Sequence, residues 1–211
     1  MAYDLQEQEQ LAALKGWWDR WGSWVLGVAT VILLGFAAYN FWQWQERRES
    51  AQAAIRFEQL AKAVGEKNHA KVKELAGTII EQHARTIYAP MAALHSAKAN
   101  RETADLAAAK AQLRWVIEKS RQDEFRLLAR VRLAAVLLDE KAFDEALKTL
   151  DGPVPDSHAT LFADRRGDVL LEQGKVAEAR AAWQQALEQS DARHPLRGLL
   201  QLKLDSLPAG S

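Results

Sequence analysis

Between Arg20 and Glu46 this chain carries no charged side chain. The 25 residues Trp21–Gln45 contain the apolar run WVLGVATVILLGFAAYNFW. A helix needs about 20 mostly apolar residues to cross about 30 Å of hydrocarbon. Tryptophan marks both ends: Trp17, Trp18, Trp21 and Trp24 before the run, Trp42 and Trp44 after it. From Trp21 to Trp42 a helix rises roughly 32 Å at about 1.5 Å per residue. The indoles therefore sit where two interfacial aromatic belts belong. The pattern predicts a short tail over 1–20, one transmembrane helix over 21–45, and a separate domain over 46–211.

A buried core helix would not need six tryptophans bracketing a charge-free stretch. A cleaved signal peptide fits poorly too, although Gly35-Phe36-Ala37 weakly resembles a cleavage site. Asp4, Glu7, Glu9 and Asp19 precede the run, and the run is longer than the about 7–15 residues of a signal core. Gly27 and Gly35 share one helix face with Ala38, and small residues there let a second membrane helix approach. Glycine is also common in membrane helices without such a contact. Orientation is open at this level. Two basic side chains lie in the first 20 residues, and Arg47, Arg48, Arg56 and Lys62 follow the span. Taken literally, that count keeps the C-terminal part in the cytoplasm, but long domains translocate largely regardless of it.

The whole chain has 28 basic and 28 acidic side chains. Domains that bind nucleic acid through phosphates are usually clearly basic, so no nucleic-acid partner is expected. There is no cysteine, which excludes disulfides, thiolate metal sites and a thiol nucleophile. Good helix formers dominate after residue 46, and no strand pattern competes, so the fold class is all-α.

An internal repeat appears at an offset of 33 residues. VLLDEKAFDEAL (Val136–Leu147) lies over VLLEQGKVAEAR (Val169–Arg180), and Leu150 falls on Trp183. A period of about 33–34 residues made of two helices is the tetratricopeptide pattern. Gly167 takes the small position of the first helix, and Gly174 its left-handed end. Ala179, Trp183 and Ala186 alternate small, large and small on the second. In the preceding copy Asp151-Gly152-Pro153-Val154-Pro155 ends the second helix early. Upstream, helical spacing continues over Ser50–Val64, from Val72 to Ile80, over Ile87–Ala99 and over Leu106–Lys119. After His194-Pro195 a last helix caps the stack. A solenoid follows, preceded by one N-terminal transmembrane helix.

No catalytic motif is present, and His69, His83, His95, His158 and His194 lack metal-ligand spacing; they read as solvated. No enzyme activity, metal or cofactor is expected. The cluster Asp164-Arg165-Arg166-Gly167-Asp168 is either an ion-pair network between repeats or a recognition patch. In tetratricopeptide folds the first helix of each pair lines the concave groove. That assigns Leu128, Val131, Ala135, Leu138 and Asp139 from one copy, and Leu161, Asp164, Asp168, Leu171 and Glu172 from the next. Such a groove is apolar and acidic, suited to apolar or basic segments.

The Trp-flanked span behind an acidic tail, with LKTLD (Leu147–Asp151), ADRRGDVLLEQGK (Ala163–Lys175) and ARAAW (Ala179–Trp183), resembles the ancillary subunit of the SecYEG translocon, a family of Gram-negative bacteria. The resemblance runs over nearly the whole chain. It implies a single-pass inner-membrane protein with its N-terminus cytoplasmic and its repeats periplasmic. It further implies association with the SecYEG translocon and with a membrane-anchored periplasmic chaperone of the peptidyl-prolyl isomerase type, and contact with exported client chains. Its topology opposes the basic-residue count. An envelope-assembly or cell-division scaffold, or a cytoplasm-facing adaptor, are the other classes that the residues allow.

Overall fold

A computed structural model describes the backbone of residues 2–208 and the side chains of residues 9–208. Asp4 and Glu7, the first acids of the tail, fall outside the described side chains. Among the described residues there are nine α-helices and no strand. They are α1 (Ala2–Gly65), α2 (His69–Gln82), α3 (Tyr88–Glu102), α4 (Leu106–Lys119), α5 (Asp123–Asp139), α6 (Phe143–Leu150), α7 (Asp156–Glu172), α8 (Val176–Gln189) and α9 (Arg197–Asp205). The chain divides into two units, Met1–Ala51 and Gln52–Ser211.

The first unit is helical throughout its described residues. The helix begins well before Trp21 and does not stop at Gln45. Glu, Gln, Leu, Lys, Arg and Ala predominate on both sides of the apolar run, and these cost little in a helix. No glycine or proline interrupts them between Gly35 and Gly65. The stretch Glu9–Gly65 contains a window with mean hydropathy 1.8, and none of that window is buried.

In the second unit the helices pair in sequence, and four turns of one design organise them. Lys67, Ala104, Lys141 and Gly174 have φ of 53°, 60°, 60° and 82°. Each follows the end of an odd-numbered helix. At each turn the next amide reaches back five residues: Asn68 to the Ala63 carbonyl (2.9 Å), Asp105 to Asn100 (2.8 Å), Ala142 to Leu137 (2.9 Å) and Lys175 to Leu170 (2.9 Å). This is the Schellman closure, which satisfies carbonyls that a helix end leaves open. Asn68 and Asp105 then cap the following helix, accepting from the amides of Lys71 and Ala108, each at 3.1 Å.

The last two turns stand 33 residues apart, but the first three are spaced by 37. The difference lies in α6, which has 8 residues where α2, α4 and α8 have 14. The Asp151–Pro155 segment cuts α6 short, as its glycine and two prolines dictate. The 33-residue period thus belongs to the truncated pair.

Small and large residues mesh down the stack. Leu60, Ala76 and Ile79 are fully buried in the first pair. Ala97, Ala109, Leu113, Ala134, Ala146 and Leu150 continue the core. Trp183, Ala186, Leu200 and Leu207 close it at the C-terminal end. Leu150 plays the part of Trp183 in its own pair, 2% exposed in both cases.

Candidate functional site

The anchor is built from one helical face after another. All six flanking indoles are exposed, from 48% at Trp18 to 71% at Trp24. Arg48 lays its guanidinium 4.7 Å from the centre of the Trp44 ring, joining a cation to the aromatic belt. Two polar side chains inside the run donate within the helix itself. Thr30 Oγ1 donates to the Leu26 carbonyl at 2.8 Å, and Asn40 Nδ2 to that of Phe36 at 2.9 Å. Hydrocarbon requires such internal satisfaction. A Cβ placed on Gly27 or Gly35 would meet nothing within 4 Å. Gly27 shares a shallow apolar groove with Trp24, Val28, Val31 and Ile32; Gly35 and Ala38 lie outside that groove. Gly22, not singled out from sequence, is covered by the Trp18 ring.

The ten expected groove residues sit in several settings in the structure. Val131, Ala135 and Asp164 are buried, at 3%, 5% and 5% exposure. Leu128, Leu138 and Leu161 are half-buried against the central core, and Leu171 against the C-terminal one. Asp139 is held by Arg101 through two bonds of 2.5 and 2.9 Å. Glu172 alone of the ten is exposed and outside any ion pair among the described residues. The reason is packing. The α5 face lies against Ala93, Leu94 and Ala97 of α3, and the α7 face receives the cap helix α9.

That capping contact is a charge clasp, and it decides the reading of the Asp164–Asp168 cluster in favour of an ion-pair network. Lys203 of α9 places Nζ 2.5 Å from Asp164 Oδ1 and 2.6 Å from Asp168 Oδ1. It also lies 5.4 Å from the centre of the Trp183 ring. Arg165 reaches Asp168 at 2.9 Å, and Arg166 reaches Asp151 at 2.8 Å. Burial pushes the Asp164 carboxyl above its ordinary range; the Lys203 bond pulls the other way. Arg197 fastens the start of α9, donating to the carbonyls of Leu187 and Ser190, both at 3.1 Å. Neither Lys203 nor Arg197 was singled out from sequence. The available signal was a lone lysine on the apolar face formed by Leu200, Leu204 and Leu207.

The histidines do not all read as solvated. His83 is 5% exposed, and neither ring nitrogen has a hydrogen-bond partner among the described residues. His95 stacks 5.9 Å from Phe57. Burial lowers its pKa, and the charges of Arg132 and Lys98 lower it further. No cluster of metal-binding side chains occurs among the described residues.

Two cavities flank the α4–α5 connection. One, of about 310 Å³, is lined by Arg85, Pro90, Trp115, Lys119 and Arg121, among others. The second, of about 600 Å³, is lined by Ile117, Leu127, Arg130, Pro153, Val154 and Pro155, with Asp123 and Arg126. It lies beside the segment that replaces the missing turns of α6.

The sequence matches the tetratricopeptide repeat-like domain family over residues 15–209. It is similar to a protein of Neisseria gonorrhoeae described as "Ancillary SecYEG translocon subunit", 31% identical over 208 residues, covering 98% of this chain and all of the relative. A Haemophilus influenzae protein of the same description is 27% identical, covering 94% of this chain and all of the relative. An Escherichia coli one is 26% identical, covering 95% of this chain and 96% of the relative. With the Trp-flanked apolar helix and four capped helix pairs in view, the chain belongs to the ancillary SecYEG translocon subunit family, built on a tetratricopeptide repeat-like domain.

Proposed function

We propose that this protein is a membrane-anchored interaction module working beside the SecYEG translocon. In this reading residues 21–45 hold it in the inner membrane, the N-terminus stays in the cytoplasm, and the repeats of 46–211 stand in the periplasm. There they link exported chains to a membrane-anchored peptidyl-prolyl isomerase-type chaperone. The observation that carries the reading is the union of a Trp-bracketed span with a helical repeat in one chain, together with the names of full-length relatives. Tethering raises effective concentration, so modest contacts suffice. Arg47 and Arg48, directly behind the span, favour a second reading, a cytoplasm-facing adaptor.

Topology separates the two. Alkaline phosphatase, active only after export, is fused to the C-terminus of the intact chain. A matching fusion carries a fluorescent protein that works only in the cytoplasm. Phosphatase activity in dark cells is the expected result. Fluorescence without phosphatase activity would end the periplasmic role. Affinity capture of the full chain from solubilised membranes should then recover translocon subunits; their absence would refute the association.

A further inference from the structure

Most cations of the repeat unit that lie between helix pairs are spoken for. Arg101, Lys110 and Arg114 each meet a carboxylate of the next pair, at 2.5, 2.6 and 2.7 Å. Arg85, Lys119 and Arg121 are different. All three are exposed and line the cleft of about 310 Å³, and no carboxylate lines it with them. None of the three has an ion-pair or hydrogen-bond partner among the described residues. The α2–α3 connection, the end of α4 and the α4–α5 connection bring them together around one cleft. Beneath the charges the wall is apolar, from buried Pro90 and half-buried Trp115. The polar groups of the α4–α5 connection are closed on themselves: Ser120 Oγ lies 3.2 Å from both the carbonyl and the amide of Gln122. The charged groups of the cleft are therefore all cationic.

We infer that this cleft binds an acidic peptide segment of a partner protein, with an aromatic or other apolar side chain beside its carboxylates. The inference rests on the reading of the chain as an interaction module, and names the chemistry of one partner. Guanidinium groups take carboxylates in paired, charge-assisted bonds. An indole and a proline ring offer a face for an apolar neighbour. A lipid headgroup is the weaker fit. Membrane-binding basic patches gather about 4–8 cations, whereas this cleft has three and is recessed over apolar side chains.

The test uses the full chain in zwitterionic nanodiscs. The probe is a short fluorescein-labelled peptide of Glu and Asp around a single Phe; its control replaces the acids by Gln and Asn. Fluorescence anisotropy should show binding of the acidic peptide only, weakening with salt. The triple variant Arg85→Gln, Lys119→Gln, Arg121→Gln should lose at least about tenfold in affinity. Its melting midpoint should stay that of the parent, because the three side chains are exposed. No binding, or equal binding by the triple variant, overturns the proposal. So does capture of phosphatidylglycerol vesicles that the triple variant loses while the peptide never binds. If peptide binding fails but translocon subunits still co-purify, only this inference falls. If the subunits fail to co-purify with the parent chain, the broader reading falls instead.

Discussion

Gly167→Ala should destabilise the repeat unit by about 3 kcal/mol. For a chain of this size that lowers the melting midpoint by roughly 10 °C. Gly167 of α7 faces the Trp183 indole of α8, and a Cβ there would fall inside the envelope of Trp183 Nε1 and Cδ1. The indole cannot simply step aside. It is 2% exposed, and its N–H donates to the Asp164 carbonyl at 3.1 Å. Relief requires parting α7 from α8 or breaking that bond, and cores lose about 1–3 kcal/mol when overpacked. The preceding pair supplies the control. There Ala134 stands in the place of Gly167 and Leu150 in that of Trp183, both buried. Combining Gly167→Ala with Trp183→Leu recreates that local pair, so the double variant should be more stable than the additive expectation. Thermal unfolding of the full chain by circular dichroism measures all three. A Gly167→Ala midpoint within a degree or two of the parent would refute the steric account.

Lys203→Met should be nearly as damaging, and its damage should depend on pH. The methionine keeps the stem against Trp183 but removes the charge that sits between Asp164 and Asp168. Breaking a buried pair costs about 3–5 kcal/mol. Lys203 keeps 21% of its side chain exposed, so about 2–3 kcal/mol is expected at neutral pH. The sign of the pH dependence follows from linkage. The Asp164 pKa is already raised by burial, and the Lys203 bond is what restrains it. Without that bond it rises further, and the folded state then binds more protons than the unfolded one. Stability therefore increases as pH falls through the raised pKa towards the ordinary carboxylate value of about 3.9. The deficit of Lys203→Met is full above the raised value and shrinks below it. Adding Asp164→Asn should recover stability at pH 7. Urea titrations at pH 7 and at mildly acidic pH test both statements. A deficit that grows on acidification would contradict the clasp.

Periodicity and charge exposed the architecture because both are local. The apolar run, its indole borders and the small–large pattern that Ala146 and Leu150 share with Ala179 and Trp183 follow from residue types alone. The end of α1 at Gly65 was legible, but not its early start or its continuity through Gln45, since Ser50–Val64 suits a separate helix equally well. At three of the four repeat turns the break between helices was legible but its left-handed closure was not. Their left-handed residues are Lys67, Ala104 and Lys141, and only Gly174 carries the expected glycine signal. The surroundings of the ten groove candidates were not legible, for a tertiary reason. Helical phase says which residues share a face. It does not say that Lys203, 39 residues beyond Asp164, will return to cover that face. The basic cleft was not legible because its cations lie apart in sequence, Arg85 between α2 and α3, Lys119 at the end of α4 and Arg121 just after it.

The shortened α6 has a consequence for how the repeat unit holds together as a whole. A stack of helix pairs transmits cooperativity from neighbour to neighbour, and each interface carries it in proportion to what is buried there. Between α5 and α7 the intervening helix has 8 residues instead of 14, and a cavity of about 600 Å³ adjoins the Pro153–Pro155 segment that follows it. Coupling is weakest at that seam. Under heat, denaturant or pulling force, the block from α7 to α9 can open while the helices before it stay closed, giving the domain two folding blocks rather than one.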